Sequence, residues 1–466
     1  MSNQILETLA SRVSSRPRQV PVQGCKGEYI GPINLIYHCW VATGPHRDLF
    51  YSQLKDSILR LLDGWSASLS SEDFVILSLY MIGRSERTAS PTICFISANE
   101  RNRKEARALV KESGLLKGYP GFKTSHMSKD PAWGAELEQL GTEKEHLAAD
   151  DASVFPKEAY YEFQKPVNMI GMPVYARHAS TMRAATANAI ELRGRLYFLT
   201  VSHVFMEAQT AAVAPVAGTN IDFEIDSDEE TDDLDEMETS VTSLGSLSSD
   251  GNSNDASSSE EGLNYSYLES ILTVNEAPSV PSITPGIEEP IPSIKKDSRS
   301  QDSTDQNLTE LLPPQANREK YTYSLLGIMY DWSREQDWAL IDVPVFDKRR
   351  LKREQKSLSP ARISALVASG LQIVAYTASR GKISGTVVGN PSFMRVPQGE
   401  RFQQVHAIRL NGSLTQGDCG SAVFEATKQN LVGIIVAGCR PSGMAYIVPA
   451  TDIVADVMAF TGTLEG

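Results

Sequence analysis

The sequence predicts a mainly β protein, an antiparallel barrel or sandwich preceded by a small α+β module and interrupted by a long low-complexity insertion. Three observations carry that reading. After about residue 165 the chain is built of short β-branched runs punctuated by Gly, Asn and Ser, at spacings of about 8 to 12 residues, as in all-β folds. Residues 1–150 instead mix helical periodicity with buried-strand runs. Between them, residues 222–312 hold mostly acid, Ser and Pro, with too little apolar surface to offset the entropy of ordering.

In chain order, "SQLKDSILRLLDGW" and "NERNRKEARALVKESGLL" carry helical periodicity, and "DFVILSLYMIG" and "PTICFISA" read as buried strands. This N-terminal module carries no recognisable chemistry; Gly-rich nucleotide loops are absent. "RLYFLTV" is a strand that turns at Ser202 and His203. After the insertion, "YTYSLLGIMYDWSREQDWALIDVPV" gives two strands about a polar turn. Five further runs follow: "LQIVAYTASRGKISGTVVG", "RFQQVHAIRL", "SAVFEA", "LVGIIVAG" and "MAYIVPA". A helix, "TDIVADVMAFTG", closes the chain with Thr451 as its expected N-cap. Within the insertion, "LNYSYLESILTV" (Leu263 to Val274) is either a docking motif or a few apolar residues in a tail.

At 466 residues the chain has room for two or three domains of about 150 residues. No apolar run reaches the roughly 18 to 20 residues that cross a bilayer, and the start lacks the apolar core of a secretory signal. Five cysteines without CxxC pairing argue for free thiols in a reducing compartment rather than a disulfide framework or zinc site. A cytoplasmic or nuclear location is therefore expected, with no glycan at Asn264, Asn307 or Asn411. The net charge of −14 is local: fifteen acids and no Lys or Arg lie between Asp222 and Glu261, and the remainder carries +1. The basic run "DKRRLKREQK" has no interleaved aromatics for base stacking, so it is expected to be a solvated link, and nucleic acid is not an expected partner. Its charge could dock the acidic insertion over a cleft.

Three distant stretches carry chemistry. "YFLTVSHVF" ends a strand with His203; "REQDWALIDV" sets Asp337 before the strand Trp338 to Ile341; "LTQGDCGSAVF" presents Cys419 between Gly417 and Gly420. Histidine is the side chain whose pKa lies nearest neutrality, a carboxylate behind it fixes its tautomer, and a thiol becomes nucleophilic once a base removes its proton. Asp331 and Asp342 compete with Asp337, but one precedes the polar turn and the other ends the strand. Ser421 enters the next strand, and Asp418 is better placed to hold the turn than to react.

In this order, "LTVSHVF", "DWALI" and "GDCGS", followed by "LVGIIVAGCRPSGMAYIVP", resemble the chymotrypsin-like (trypsin-like) peptidase family, and look closest to uncharacterised fungal members. The departure is sulfur where the family usually has the serine oxygen. The resemblance implies a chymotrypsin-like double antiparallel β-barrel: residues 165–221 and 313–346 the first barrel, 347–362 the inter-barrel link, and 363–466 the second barrel with its helix. It implies a His203–Asp337–Cys419 triad cleaving peptide bonds through a thioester, with no metal or other cofactor. By the same resemblance the oxyanion hole is formed by the N–H groups of Gly417 and Cys419. Ser413, Ala437, Gly438 and Gly443 would line the primary pocket; none is acidic, so a preference for basic residues is not expected. The expected partner is a polypeptide substrate or peptide ligand. Two other readings stand beside this: a silent protease fold used as a peptide-binding scaffold, and an N-terminal module that is itself the functional part.

Overall fold

The computed structural model describes residues 26–65, 73–133, 137–144, 158–162, 169–178, 181–206, 221–226, 323–343, 358, 362–364, 367–397 and 399–463. The N-terminal segment 1–25, the insertion from residue 227 with its "LNYSYLESILTV" motif and the sequons Asn264 and Asn307, and nearly all of the basic link lie outside the described residues.

The N-terminal module runs β1 (Lys26–Pro32), β2 (His38–Ala42), α1 (Gly44–Leu49), a π-helical turn (Phe50–Leu54), α2 (Lys55–Trp65), β3 (Val75–Gly83), β4 (Ser90–Ile96), α3 (Glu100–Glu112) and β5 (Lys123–Met127). Apart from the parallel β4–β5 pair, which α3 connects, these strands pair antiparallel. Asn99 starts α3 by accepting from the N–H groups of Arg101 and Asn102 at 3.0 and 3.3 Å. Phe50, Leu54, Ile58 and Leu62 of the helical segment, with Ala106 and Val110 of α3, bury their apolar stripes on Leu77, Leu79 and Phe95 of the sheet.

Past β6 (Thr142–Lys144), the first barrel comprises β7 (Glu158–Glu162), β8 (Met172–His178), β9 (Thr181–Leu192) and β10 (Arg195–Thr200), then β12 (Tyr323–Ser333) and β13 (Trp338–Asp342); β11 (Phe223–Ile225) intervenes in sequence. Its order, β10-β13-β12-β7-β8-β9, closes through β10–β9, so all six strands are antiparallel around a ring. β9 turns the corner by pairing its first half with β8 and its last residues with β10. Ala184, Ala185, Ala187 and Ala189 keep that corner slim.

The second barrel comprises β14 (Gln372–Thr377), β15 (Gly381–Arg395), β16 (Gln403–Leu410), β17 (Ala422–Glu425), β18 (Leu431–Cys439) and β19 (Met444–Pro449). It closes as β15-β14-β17-β18-β19-β16 through β15–β16. Two closed six-stranded antiparallel barrels make the chymotrypsin-like double barrel. The helix α4 (Ala450–Thr463) begins one residue before Thr451, which therefore sits inside the first turn rather than capping it. Among the described residues no helix is long and apolar enough to cross a membrane.

Two connections differ from the sequence reading. β15 shifts register between Val388 and Ser392, and Phe393–Arg395 then pairs with Leu77–Val75 of β3, so the module's sheet and the second barrel are one sheet. The first residues of the acidic stretch are ordered as β11, which pairs with β5. The cause is charge on α3: Arg107 reaches Glu224 at 2.9 Å and Asp226 at 2.6 Å, Lys111 reaches Asp226 at 2.5 Å, and buried Arg103 pairs with Asp222. Burial alone would raise the Asp226 carboxyl, but hydrogen bonds from Lys111, Thr124 and Arg107 overcome it and hold the pKa at about 2.

Candidate functional site

His203 opens a single 3₁₀ turn, His203–Phe205, at the end of β10, and Asp337 precedes β13, the neighbour of β10 in the first barrel. The carboxylate Oδ2 of Asp337 lies 2.7 Å from His203 Nδ1, while Oδ1 accepts from the His203 N–H at 2.9 Å and from Ser202 Oγ at 3.0 Å. Ser202 N–H in turn donates to the Asp337 carbonyl at 3.3 Å. Asp337 adopts a left-handed φ of 54°, a conformation Asp tolerates better than most residues, to aim its side chain at the ring. Its competitors are engaged elsewhere: Asp331 caps the Trp332 N–H and Asp342 meets Arg195. His203 Nε2 is buried without a hydrogen-bond partner.

Cys419 lies in the turn before β17. Gly417 and Gly420 hold φ of 91° and 88° there, and a Cβ on Gly420 would stand 2.0 Å from the Thr186 carbonyl. β9 of the first barrel grips this turn. Thr186 N–H donates to the Cys419 carbonyl at 2.8 Å, Thr186 Oγ1 to the Gly417 carbonyl at 2.8 Å, and Asn188 Nδ2 to the Gly420 carbonyl at 2.7 Å. Thr186 and Asn188 escaped the sequence reading; their polar side chains between alanines in "AATANA" were the available signal. Asp418 holds the turn, accepting from Thr415 N–H at 2.7 Å and Ser379 Oγ at 2.9 Å. Ser421 Oγ is buried on the Asp418 carbonyl.

The cleft between the barrels is filled by the chain itself. Residues Glu138–Gly141, in the stretch that had shown no chemistry, run through it. Glu138 and Gly438 exchange both backbone hydrogen bonds, at 3.0 and 2.9 Å. The Leu140 carbonyl accepts from Gly417 N–H at 2.5 Å, one of the two expected oxyanion donors. Leu140 N–H lies 3.2 Å from Cys419 Sγ, and Sγ donates to the Val436 carbonyl at 3.2 Å. No hydrogen bond joins Sγ to His203. Burial is the chief reason the thiol pKa is pushed well above its ordinary value; the Leu140 N–H opposes this, and the charges of Asp337 and Asp418 add to it.

Of the expected pocket residues, Gly438 meets the Leu140 side chain: a Cβ built there would lie 3.2 Å from Leu140 Cδ1 and 2.7 Å from Leu414 Cδ1. Leu140 is fully buried, which contributes about 1.5–3 kcal/mol. Ala437 is buried in β18 opposite Tyr446, and Gly443, with a φ of 66°, packs on the Leu410 and Gly412 carbonyls. Ser413 is half-buried beside Leu414.

No family model matches this chain, and no curated protein matches it. Similar solved structures include the Rv3671c protease of M. tuberculosis in its active form, with 17% identity, 28% of this chain and 56% of that chain covered, and a TM-score of 0.22. Its inactive form has 15% identity, covers 29% and 71%, and has a TM-score of 0.22. A chymotrypsin from Cellulomonas bogoriensis has 15% identity, 28% and 72% coverage, and a TM-score of 0.22. The chain thus spans just over half the length of the first of these. Each similarity takes in less than a third of this chain, so the two-barrel assignment stands on the closed strand order.

Proposed function

We propose that this protein is a cysteine-nucleophile peptidase in which His203 is the general base, Asp337 orients it, and Cys419 attacks the peptide carbonyl. The observation that supports this most is the His203–Asp337 pair: a carboxylate bound to both the ring and the backbone of one histidine leaves Nε2 as the ring atom available for chemistry. In the reaction Nε2 takes the thiol proton, sulfur adds to the carbonyl, and Gly417 N–H, with that of Cys419, stabilises the oxyanion. The amine leaves with the proton from His203, and water, deprotonated by the same ring, hydrolyses the thioester. Substrate is a polypeptide bound as an extended strand on Gly438, and neither metal nor cofactor enters these steps.

A second reading is favoured by one observation, the Cys419 hydrogen bond to Val436 rather than to His203. On that reading the fold binds peptides without cleaving them. A thiol-directed peptidyl chloromethyl ketone separates the two. Labelling of Cys419 that is lost in His203→Ala supports the peptidase. Labelling equal in parent and His203→Ala, with no peptide hydrolysis, supports the scaffold.

A further inference from the structure

We infer that the peptide bond between Leu140 and Gly141 is a substrate of this same chain, cut in cis by Cys419; the inference rests on the peptidase reading above.

Contacts along the whole segment set residues 138–144 as an extended substrate rather than as a loop packed by chance. On the amino side, Glu138 pairs with Gly438 of β18 as an antiparallel strand would, and its carboxylate meets Arg440 at 3.0 Å. At the centre, the Leu140 carbonyl oxygen accepts from Gly417 N–H, so that carbonyl is already polarised by a donor placed for an oxyanion. Its carbon is two bonds from the Leu140 nitrogen, which touches Cys419 Sγ at 3.2 Å. On the carboxyl side, a Cβ built on Gly141 would stand 3.6 Å from His203 Nε2, so the base faces the amine that must leave. Beyond it, Thr142–Lys144 joins the first barrel as β6, antiparallel to β9. The segment therefore crosses from one barrel to the other with one peptide bond between sulfur and imidazole.

In the proposed attack the thiol first leaves the Val436 carbonyl. It turns about χ1 toward the Leu140 carbonyl carbon, which its Leu140 N–H contact places close by, and gives its proton to Nε2. The C–S bond then forms as Nε2 takes the proton. The C–N bond to Gly141 breaks as that proton passes to the amine. Water adds to the Leu140 thioester, giving a carboxylate on residues 1–140, an amino terminus on residues 141–466, and the free thiol. The contacts also name the substrate class: Glu at the third position before the cut, Leu at the first, and Gly after it.

The test follows the full-length chain under reducing conditions at pH 8 by intact mass and amino-terminal sequencing, at two protein concentrations tenfold apart. Expected is a single new terminus at Gly141, formed at a first-order rate that is the same at both concentrations, and lost in Cys419→Ala and in Gly141→Pro. A cut at another bond, or one whose rate scales with concentration, overturns the inference. Leu140→Asp, checked for folding by circular dichroism, sets a carboxylate against Leu414 and expels the segment. It should not be cut, and the chloromethyl ketone should label its Cys419 at least tenfold faster than in Cys419's native setting. An uncut parent alongside a labelled Leu140→Asp overturns self-cleavage and leaves the peptidase reading standing; an uncut parent alongside an unlabelled variant overturns both.

Discussion

The two barrels prepare their halves of the site in opposite ways. In the first, His203 is fixed at ring and backbone by one carboxylate, and that carboxylate by Ser202, so the ring is held in one orientation. In the second, the sulfur is buried and bonded to Val436, while the donor beside it, Gly417 N–H, is spent on the chain's own Leu140. The difference teaches that a fixed histidine says little about readiness: on the peptidase reading, what limits the site is the sulfur, and the segment at Leu140 covers it.

The sharpest way to break the comparison is to spoil the prepared half. Asp337→Asn keeps the shape but removes the charge that fixes the tautomer, and hydrolysis of an extended Glu-Gln-Leu-Gly peptide should fall about 10⁴-fold in kcat. A loss below tenfold would mean that the first barrel's dyad is not the working base.

The next effect is on folding, and it sets a turn of one barrel against a turn of the other. Gly420→Ala places a methyl where the Thr186 carbonyl stands, at a left-handed φ, and should cost on the order of 4 kcal/mol in urea unfolding. Gly194→Ala in the first barrel's β9–β10 turn meets nothing within 4 Å at a φ of 75° and should cost only about 1–2 kcal/mol of backbone strain. Equal losses would show that the nucleophile turn is not held by β9.

The smallest effect is a pH dependence that belongs to the second barrel. Burial lowers the His406 pKa to about 4, so the ring stays neutral in the fold. Between the ordinary value near 6.5 and 4, the unfolded chain takes up a proton that the folded chain refuses, so stability falls as pH drops through that window, by at most about 3 kcal/mol. His406→Phe should flatten the slope there. Asp226, held at about 2, acts in the same direction at lower pH: its stabilising contribution is complete above its unfolded pKa near 3.8 and is lost as pH falls from there toward 2. Melting curves from pH 7 to 2 resolve the two windows.

The legibility of these features tracks the kind of interaction that makes them. His203, Asp337 and Cys419 stood out because side-chain chemistry leaves local marks: a histidine ending an apolar strand, an acid opening one, a thiol among glycines. The segment at Leu140 left none, because what holds it is backbone pairing with Gly438 and Gly417, which almost any sequence can offer. The apolar pattern of β15 ends at Gly389; its last residues extend past a register shift that hydrophobic alternation does not encode. The acids Asp222, Glu224 and Asp226 look like the start of a solvated tail until Arg103, Arg107 and Lys111 are seen at helical spacing on α3, a basic stripe that asks for a partner. Thr451 stands at the second helical position, two beyond the cap that its chemistry suggests, because the favourable cap residue follows, rather than precedes, the first helical residue.

The strand β15 has a consequence for the protein's life after any break near residue 140. Since its last three residues are laddered to β3, and β11 from the far side of such a break is laddered to β5, severed pieces would keep company through main-chain rungs and buried guanidinium–carboxylate clasps. A nicked molecule would elute from a sizing column as one particle and come apart only in detergent.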